Sequence, residues 1–138
     1  MLCHKGDTAY SEKSFKAKHT LETRKRFVEQ CPQTEGGKSP VIISLAEDTM
    51  KDARFRGVDH VQFYVENSKS VSALFGPLRD RFQMNPDETA SFFCQQRYLL
   101  HSKLWFESDT KIGDLYTQKR DKEDGLLYIT FSVIPTMG

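Results

Sequence analysis

Apolar residues recur along this chain with two different periods, and each period predicts an element. In Val61, Gln62, Phe63, Tyr64 and Val65 the pattern repeats every second position, placing Val61, Phe63 and Val65 on one face of a strand and Gln62 and Tyr64 on the other. Pro40 opens the run Val41, Ile42, Ile43, Ser44, Leu45, whose branched side chains read as an earlier strand, with a polar loop between the two. Ala90 to Cys94 predicts a short strand, and Tyr98 to Phe106 either continues the sheet or forms a long hairpin. Leu126 to Val133 lacks clean alternation, which suits a central strand buried on both faces.

The helical period appears between these runs. Ser14 to Lys18 predicts a short turn, and Thr20 is placed to cap a helix that turns Leu21, Phe27, Val28 and Cys31 to one side. Pro32 should end it, because its ring clashes with the preceding turn. Val71, Leu74, Leu78 and Phe82 mark an amphipathic helix over Ser70 to Phe82. Gly76 and Pro77 in its middle imply a kink, or a true start only near Pro77. Ile112, Leu115 and Tyr116 predict a small helical turn before the charged loop Lys119 to Asp124.

A helix crossing from one strand pair to a later pair, with the last strand at the centre, is the connectivity of a β-grasp. The expected architecture is α+β: a four-stranded mixed sheet with two additional N-terminal helices. The expected organisation is a flexible extension at 1–13, a domain over 14–132 with its helical subdomain at about 14–35, and a flexible tail at 133–138.

Composition narrows the picture. A chain of 138 residues with ten Phe and five Tyr has the material for one well-filled core. A net charge of +1 gives no strong pull toward nucleic acid. Within the N-terminal third the stretch 13–26 is polarised, with Lys13, Lys16, Lys18, Arg24, Lys25 and Arg26 against Glu22 alone. That pattern predicts a solvated helical face or, as the minor alternative, a dock for acidic peptides or lipid headgroups. Cys3, Cys31 and Cys94 share no metal-ligand spacing and read as free thiols in a reducing compartment, with Cys31 and Cys94 as buried small hydrophobes. His4, His19, His60 and His101 lack metal spacing, no glycine-rich phosphate loop is present, and no cysteine can be placed with a histidine and an orienting carboxylate. Neither a metal, a cofactor nor an enzymatic activity is expected. No apolar signal core opens the chain and no run is long enough to span a membrane, so a cytoplasmic location is expected.

Three motifs share one order. His19, Glu22 and Arg24 form H-x-x-E-x-R ahead of Pro40, Val41 and Ile42; Phe63, Tyr64 and Val65 precede Arg79 and Arg81. The third motif is IleGlyAspLeuTyr at 112–116, a charged loop at 119–124, GlyLeuLeuTyrIleThrPheSer at 125–132, and six residues ending in Gly138. In this order and spacing the chain resembles the autophagy-related protein eight family of ubiquitin-like modifiers, which includes GABARAP and the microtubule-associated protein light chains. Roughly Phe15 to Gly138 is covered. The chain departs from the family pattern at Pro32, at Gly76 and Pro77, at Met137 preceded by Pro135, and by about seven extra residues between Phe93 and Glu107.

The resemblance implies a substrate of enzymes rather than an enzyme. Gly138 would be joined to phosphatidylethanolamine by activating and conjugating enzymes, a cysteine protease would process or deconjugate it, and the product would reside on autophagosome or vesicle membranes. It also implies recruitment of cargo receptors through aromatic-x-x-aliphatic motifs that add a strand to the sheet. The implied aromatic pocket draws on Phe27, Cys31, Pro40, Ile42, Tyr64 and Leu126, and the aliphatic pocket on Phe63, Val65, Leu74 and Leu78. Lys38 and Arg81 would meet acidic residues of the motif. For each pocket residue, ordinary core is the competing reading. Two other functions stay open: a protein-conjugated modifier of the autophagy-related protein twelve class, and a non-conjugated interaction module.

Overall fold

A computed structural model describes residues 15–32, 36–55, 57–58, 60–94, 97–101 and 110–134, and the backbone alone over 97–101. The expectations for 1–14, for Pro135, Met137 and Gly138, and for 102–109 lie outside the described residues.

Helix α1 (15–18) leads into α2 (Leu21–Glu29). Thr20 caps α2, its hydroxyl accepting the Thr23 N–H at 3.1 Å, and the helix stops ahead of Pro32. Strand β1 (Lys38–Leu45) pairs antiparallel with β2 (His60–Glu66) and parallel with β5 (Leu127–Ile134). Strand β3 (Thr89–Cys94) flanks β5 on its other side, antiparallel. The mixed sheet β2-β1-β5-β3 is the expected β-grasp. A fifth strand, β4 (Arg97–His101), extends it beyond β3 through a hairpin, and it falls where the chain carries its extra residues.

Both faces of β1 and β5 are covered, which is why neither strand alternates. Val41, Ile43, Leu45, Leu127, Ile129 and Phe131 enter the main core beneath helices α4 (Phe75–Phe82) and α5 (Ile112–Lys119). Ile42, Leu126 and Tyr128 enter a smaller cluster closed by Phe15, Phe27 and Val28 of the N-terminal helices. The two added helices therefore cover the sheet face that α4 and α5 leave bare.

Four expectations change, and one open choice is decided. The segment after β1 is more than a polar loop: it holds α3 (Glu47–Met50) and a 3-10 turn, Ala53–Phe55, whose Phe55 is 1% exposed and packs edge-on against Phe82 at 4.7 Å. Of the two readings for Gly76 and Pro77, a kink or a late helix start, the late start holds. A 3-10 turn, Val71–Leu74, ends at Phe75, where α4 begins, so Pro77 sits in a first turn whose amides need no intrahelical partner. The predicted turn around Leu115 is an eight-residue helix. Strand β5 runs through Ile134, one residue past the expected strand end at Val133 and into the segment expected as tail; the Val133 N–H donates to the Thr49 hydroxyl at 3.0 Å. Finally, the basic N-terminal third is not wholly a solvated face. Lys16 donates to Asp121 at 2.7 Å, and Arg24 is buried against Asp124 at the same distance.

Candidate functional site

The sheet ends at β2, and the hydrogen-bond register shows what that edge offers. Asn67 N–H donates to the Gly37 carbonyl at 3.2 Å, which extends the ladder in which Ser39 faces Val65 and Val41 faces Phe63. Directly opposed residues that exchange bonds alternate with those that do not. Val61, Phe63 and Val65 therefore spend their amides and carbonyls on β1, whereas Gln62 and Tyr64 turn theirs outward. Pro40, which has no N–H, faces Tyr64 in a pair that needs none. Gln62 and Tyr64 thus present donors and acceptors for one more strand.

Beside this edge lies an open cleft of ≈ 290 Å³ between β2 and the start of α4. Phe63, Val65 and Leu74 line it, as the expected aliphatic pocket requires, and Leu78 lies behind them in the core. Lys38 stands in the lining, but Arg81 does not; it is exposed elsewhere on α4. Lys69 and Ala73 also line the cleft and escape the sequence reading, while Pro77, one of the departures from the family pattern, lines it too. Lys69 lies in the bend ahead of the 3-10 turn and Ala73 within that turn, so no single helical period pointed to them.

The six expected aromatic-pocket residues come together, but as a filled site. Ile42 and Leu126 are 0% exposed, Pro40 is buried, and Cys31 is 6% exposed. Phe27 and Tyr64 are half-buried and stack on each other, ring centres 4.4 Å apart and planes within 14°. The Tyr64 hydroxyl donates to the Phe27 carbonyl at 2.6 Å. Burial, with a smaller contribution from Cys31, raises the Tyr64 pKa, so the phenol keeps its donor proton. Cys31 donates through sulfur to the Lys38 carbonyl at 3.3 Å, and burial raises its thiol pKa against the weaker pull of Lys38. That environment disfavours the thiolate and makes Cys31 a packing residue.

The H-x-x-E-x-R motif has a structural answer. Arg24 Nε donates to the His19 carbonyl at 3.1 Å, while its Nη1 donates to Asp124 at 2.7 Å. Asp124 also accepts the Leu126 N–H and the Tyr128 hydroxyl at 2.9 and 2.6 Å. Burial works to lower the Arg24 pKa, but the hydrogen bond to Asp124 and the fields of Tyr128 and Asp124 outweigh it, and the net shift is upward. Burial, then the bond to Asp124, pushes the Tyr128 phenol far above its ordinary range. Glu22 stays exposed, 3.8 Å from Arg26.

A β-grasp sheet carrying two added helices and an outward-facing edge strand is the arrangement of a ubiquitin-like interaction domain. A family model described as autophagy protein Atg8, ubiquitin-like, matches residues 23–138, and the chain belongs to that family. Its members are ubiquitin-like modifiers and not themselves enzymes. The chain is 26% identical to protein lgg-2 of Caenorhabditis elegans, covering 91% of this chain and 88% of the relative. It is 25% identical to autophagy-related protein 8B of rice, covering 93% and 98%. Among solved structures, that of Trypanosoma brucei ATG8 superposes with a TM-score of 0.67 at 22% identity, covering 90% of this chain and 97% of that one. The last likeness concerns the fold.

Proposed function

We propose that this protein is joined through Gly138 to phosphatidylethanolamine and, so anchored, recruits cargo receptors by adding their extended motifs to β2. The observation that carries the recruiting role is the outward ladder of Gln62 and Tyr64 beside the open cleft of Phe63, Val65 and Leu74. Membership of the family, matched through residue 138, supports the conjugation.

The chemistry runs in four steps. The Gly138 carboxylate displaces pyrophosphate from ATP to form an adenylate. An activating-enzyme thiolate then displaces AMP, and the acyl group passes to a conjugating-enzyme thiol. The amine of phosphatidylethanolamine finally attacks the thioester, releasing the thiol and forming an amide. Glycine suits this because an unhindered carbonyl without a neighbouring Cβ threads a narrow channel. No helix among the described residues is long and apolar enough to cross a membrane. The two acyl chains of the lipid supply stable anchorage, which one chain cannot. A cysteine protease would process or release the conjugate, and the protein would divide between the cytoplasm and vesicle membranes.

The test is reconstitution with the activating and conjugating enzymes, ATP and phosphatidylethanolamine liposomes, with Gly138→Ala in parallel. The expected result is a lipid adduct from the unmodified chain alone. No adduct from the unmodified chain sinks the conjugation, and an equal adduct from Gly138→Ala moves it elsewhere.

A further inference from the structure

We infer that Tyr64 closes the aromatic subsite of the docking edge, so that recognition rests on the aliphatic cleft and the lysines beside it. This deepens the strand-addition reading and depends on it. The partner it fits is an extended, acidic segment with a branched aliphatic anchor and no requirement for an aromatic one.

Two contacts make the closure. The Tyr64 ring lies flat on Phe27 at 4.4 Å, and Phe27 in turn packs against the buried cluster that holds Ile42 and Leu126. Those two residues are 0% exposed, so no apolar floor is left for an incoming ring. The second contact satisfies the end of α2. The N–H of Cys31, four residues beyond Phe27, donates to the Val28 carbonyl at 3.1 Å, leaving the Phe27 carbonyl for the Tyr64 hydroxyl. An aromatic ligand must break the stack, strip α2 of this terminal bond and part the helix from β2.

The aliphatic cleft asks for none of that. It is open, it abuts the outward amides of Gln62 and Tyr64, and its rim carries Lys38 and Lys69 against Glu66 alone. That balance favours carboxylates on the partner.

The experiment titrates the full chain with three acidic peptides that differ only at the two anchors: tryptophan with leucine, alanine with leucine, and tryptophan with alanine. In the unmodified protein, replacing tryptophan is expected to change Kd by less than about threefold, and replacing leucine to weaken it by about tenfold or more. In Tyr64→Ala the tryptophan peptide should gain about tenfold over its alanine counterpart. Tyr64→Phe, which keeps the stack and only releases the carbonyl, should show a smaller gain and guards against misfolding of the alanine variant. A loss of about tenfold on removing tryptophan from the peptide, with the unmodified protein, overturns the closure alone. Absence of binding by all three peptides, with the amides of Gln62 to Tyr64 unmoved by NMR, overturns strand addition and the closure together.

Discussion

Arg24→Leu is expected to cost this domain about 3 kcal/mol, toward the lower end of what breaking a buried ion pair costs. The Arg24 side chain is 8% exposed and that of Asp124 is 0%, with 2.7 Å between them. Removing the guanidinium leaves a carboxylate out of water with two neutral donors, the Leu126 N–H and the Tyr128 hydroxyl, so the deficit is reduced but not abolished. It also releases the His19 carbonyl that Arg24 Nε binds, freeing the entry to α2. Domains are typically stable by about 5–15 kcal/mol, so the loss is a large share of the total.

The assay is urea unfolding of Arg24→Leu, Asp124→Leu and the double variant. Arg24→Leu leaves the Asp124 carboxylate unmatched and Asp124→Leu leaves Arg24 only the exposed Glu123 at 3.8 Å, whereas the double variant leaves neither buried charge. Its cost should fall below the sum of the singles by about 2–3 kcal/mol. Two results refute the reasoning. A cost for Arg24→Leu below about 1 kcal/mol is the range of exposed pairs and would mean that water reaches Asp124. Additive singles would mean that the two residues act through separate partners.

Other expectations test separate parts of the molecule. Arg54 donates to Glu88 and Asp52, which holds both carboxyls below their ordinary pKa, so these contacts stabilise the fold above about pH 4.3 and are lost as pH falls through the depressed folded values. Arg54→Gln should flatten that acid limb in thermal scans, and an unchanged pH profile refutes the assignment. Gly125 has a φ of 81°, with its nearest prospective neighbour, Val28, at a comfortable 3.7 Å. Gly125→Ala should therefore cost about 1–2 kcal/mol from backbone strain alone, measured by urea midpoint at constant m. Ser44 buries a hydroxyl with no hydrogen-bond partner among the described residues, so Ser44→Ala should leave stability unchanged or raise it by about 1 kcal/mol; a clear loss would show that the hydroxyl is satisfied. Lys38→Glu with Lys69→Glu should slow association with an acidic peptide and flatten its salt dependence, read by stopped flow.

Much of the fold was legible because it depends on local periods. The alternation at Val61 to Val65 correctly divides β2 between α4 on one face and α2 on the other, and the unbroken run at Leu126 marks a strand covered twice. Phe55 was not legible: a lone aromatic among polar residues has no period, and its burial comes from Phe82 on a later helix. The Arg24 and Asp124 pair spans 100 positions, and charge counts along a segment cannot name a partner at that distance. At the docking edge the residue types were readable but their state was not. The side chains that line an aromatic pocket are also those that fill it, and only the pairing of Phe27 with Tyr64 decides between the two.

The placement of β5 has a mechanical consequence. An anchor attached through Gly138, as proposed, would pull along a strand bonded on both sides, to β1 in parallel and to β3 in antiparallel register. Load along that axis shears both ladders lengthwise, so their bonds must fail together rather than open one after another. Cargo held on β2, as proposed, would pull from the far side of β1, where a strand at the rim can be peeled away bond by bond. A molecule strained between vesicle and cargo would therefore let go at the cargo first, and its hold on the membrane would outlast its hold on what it carries.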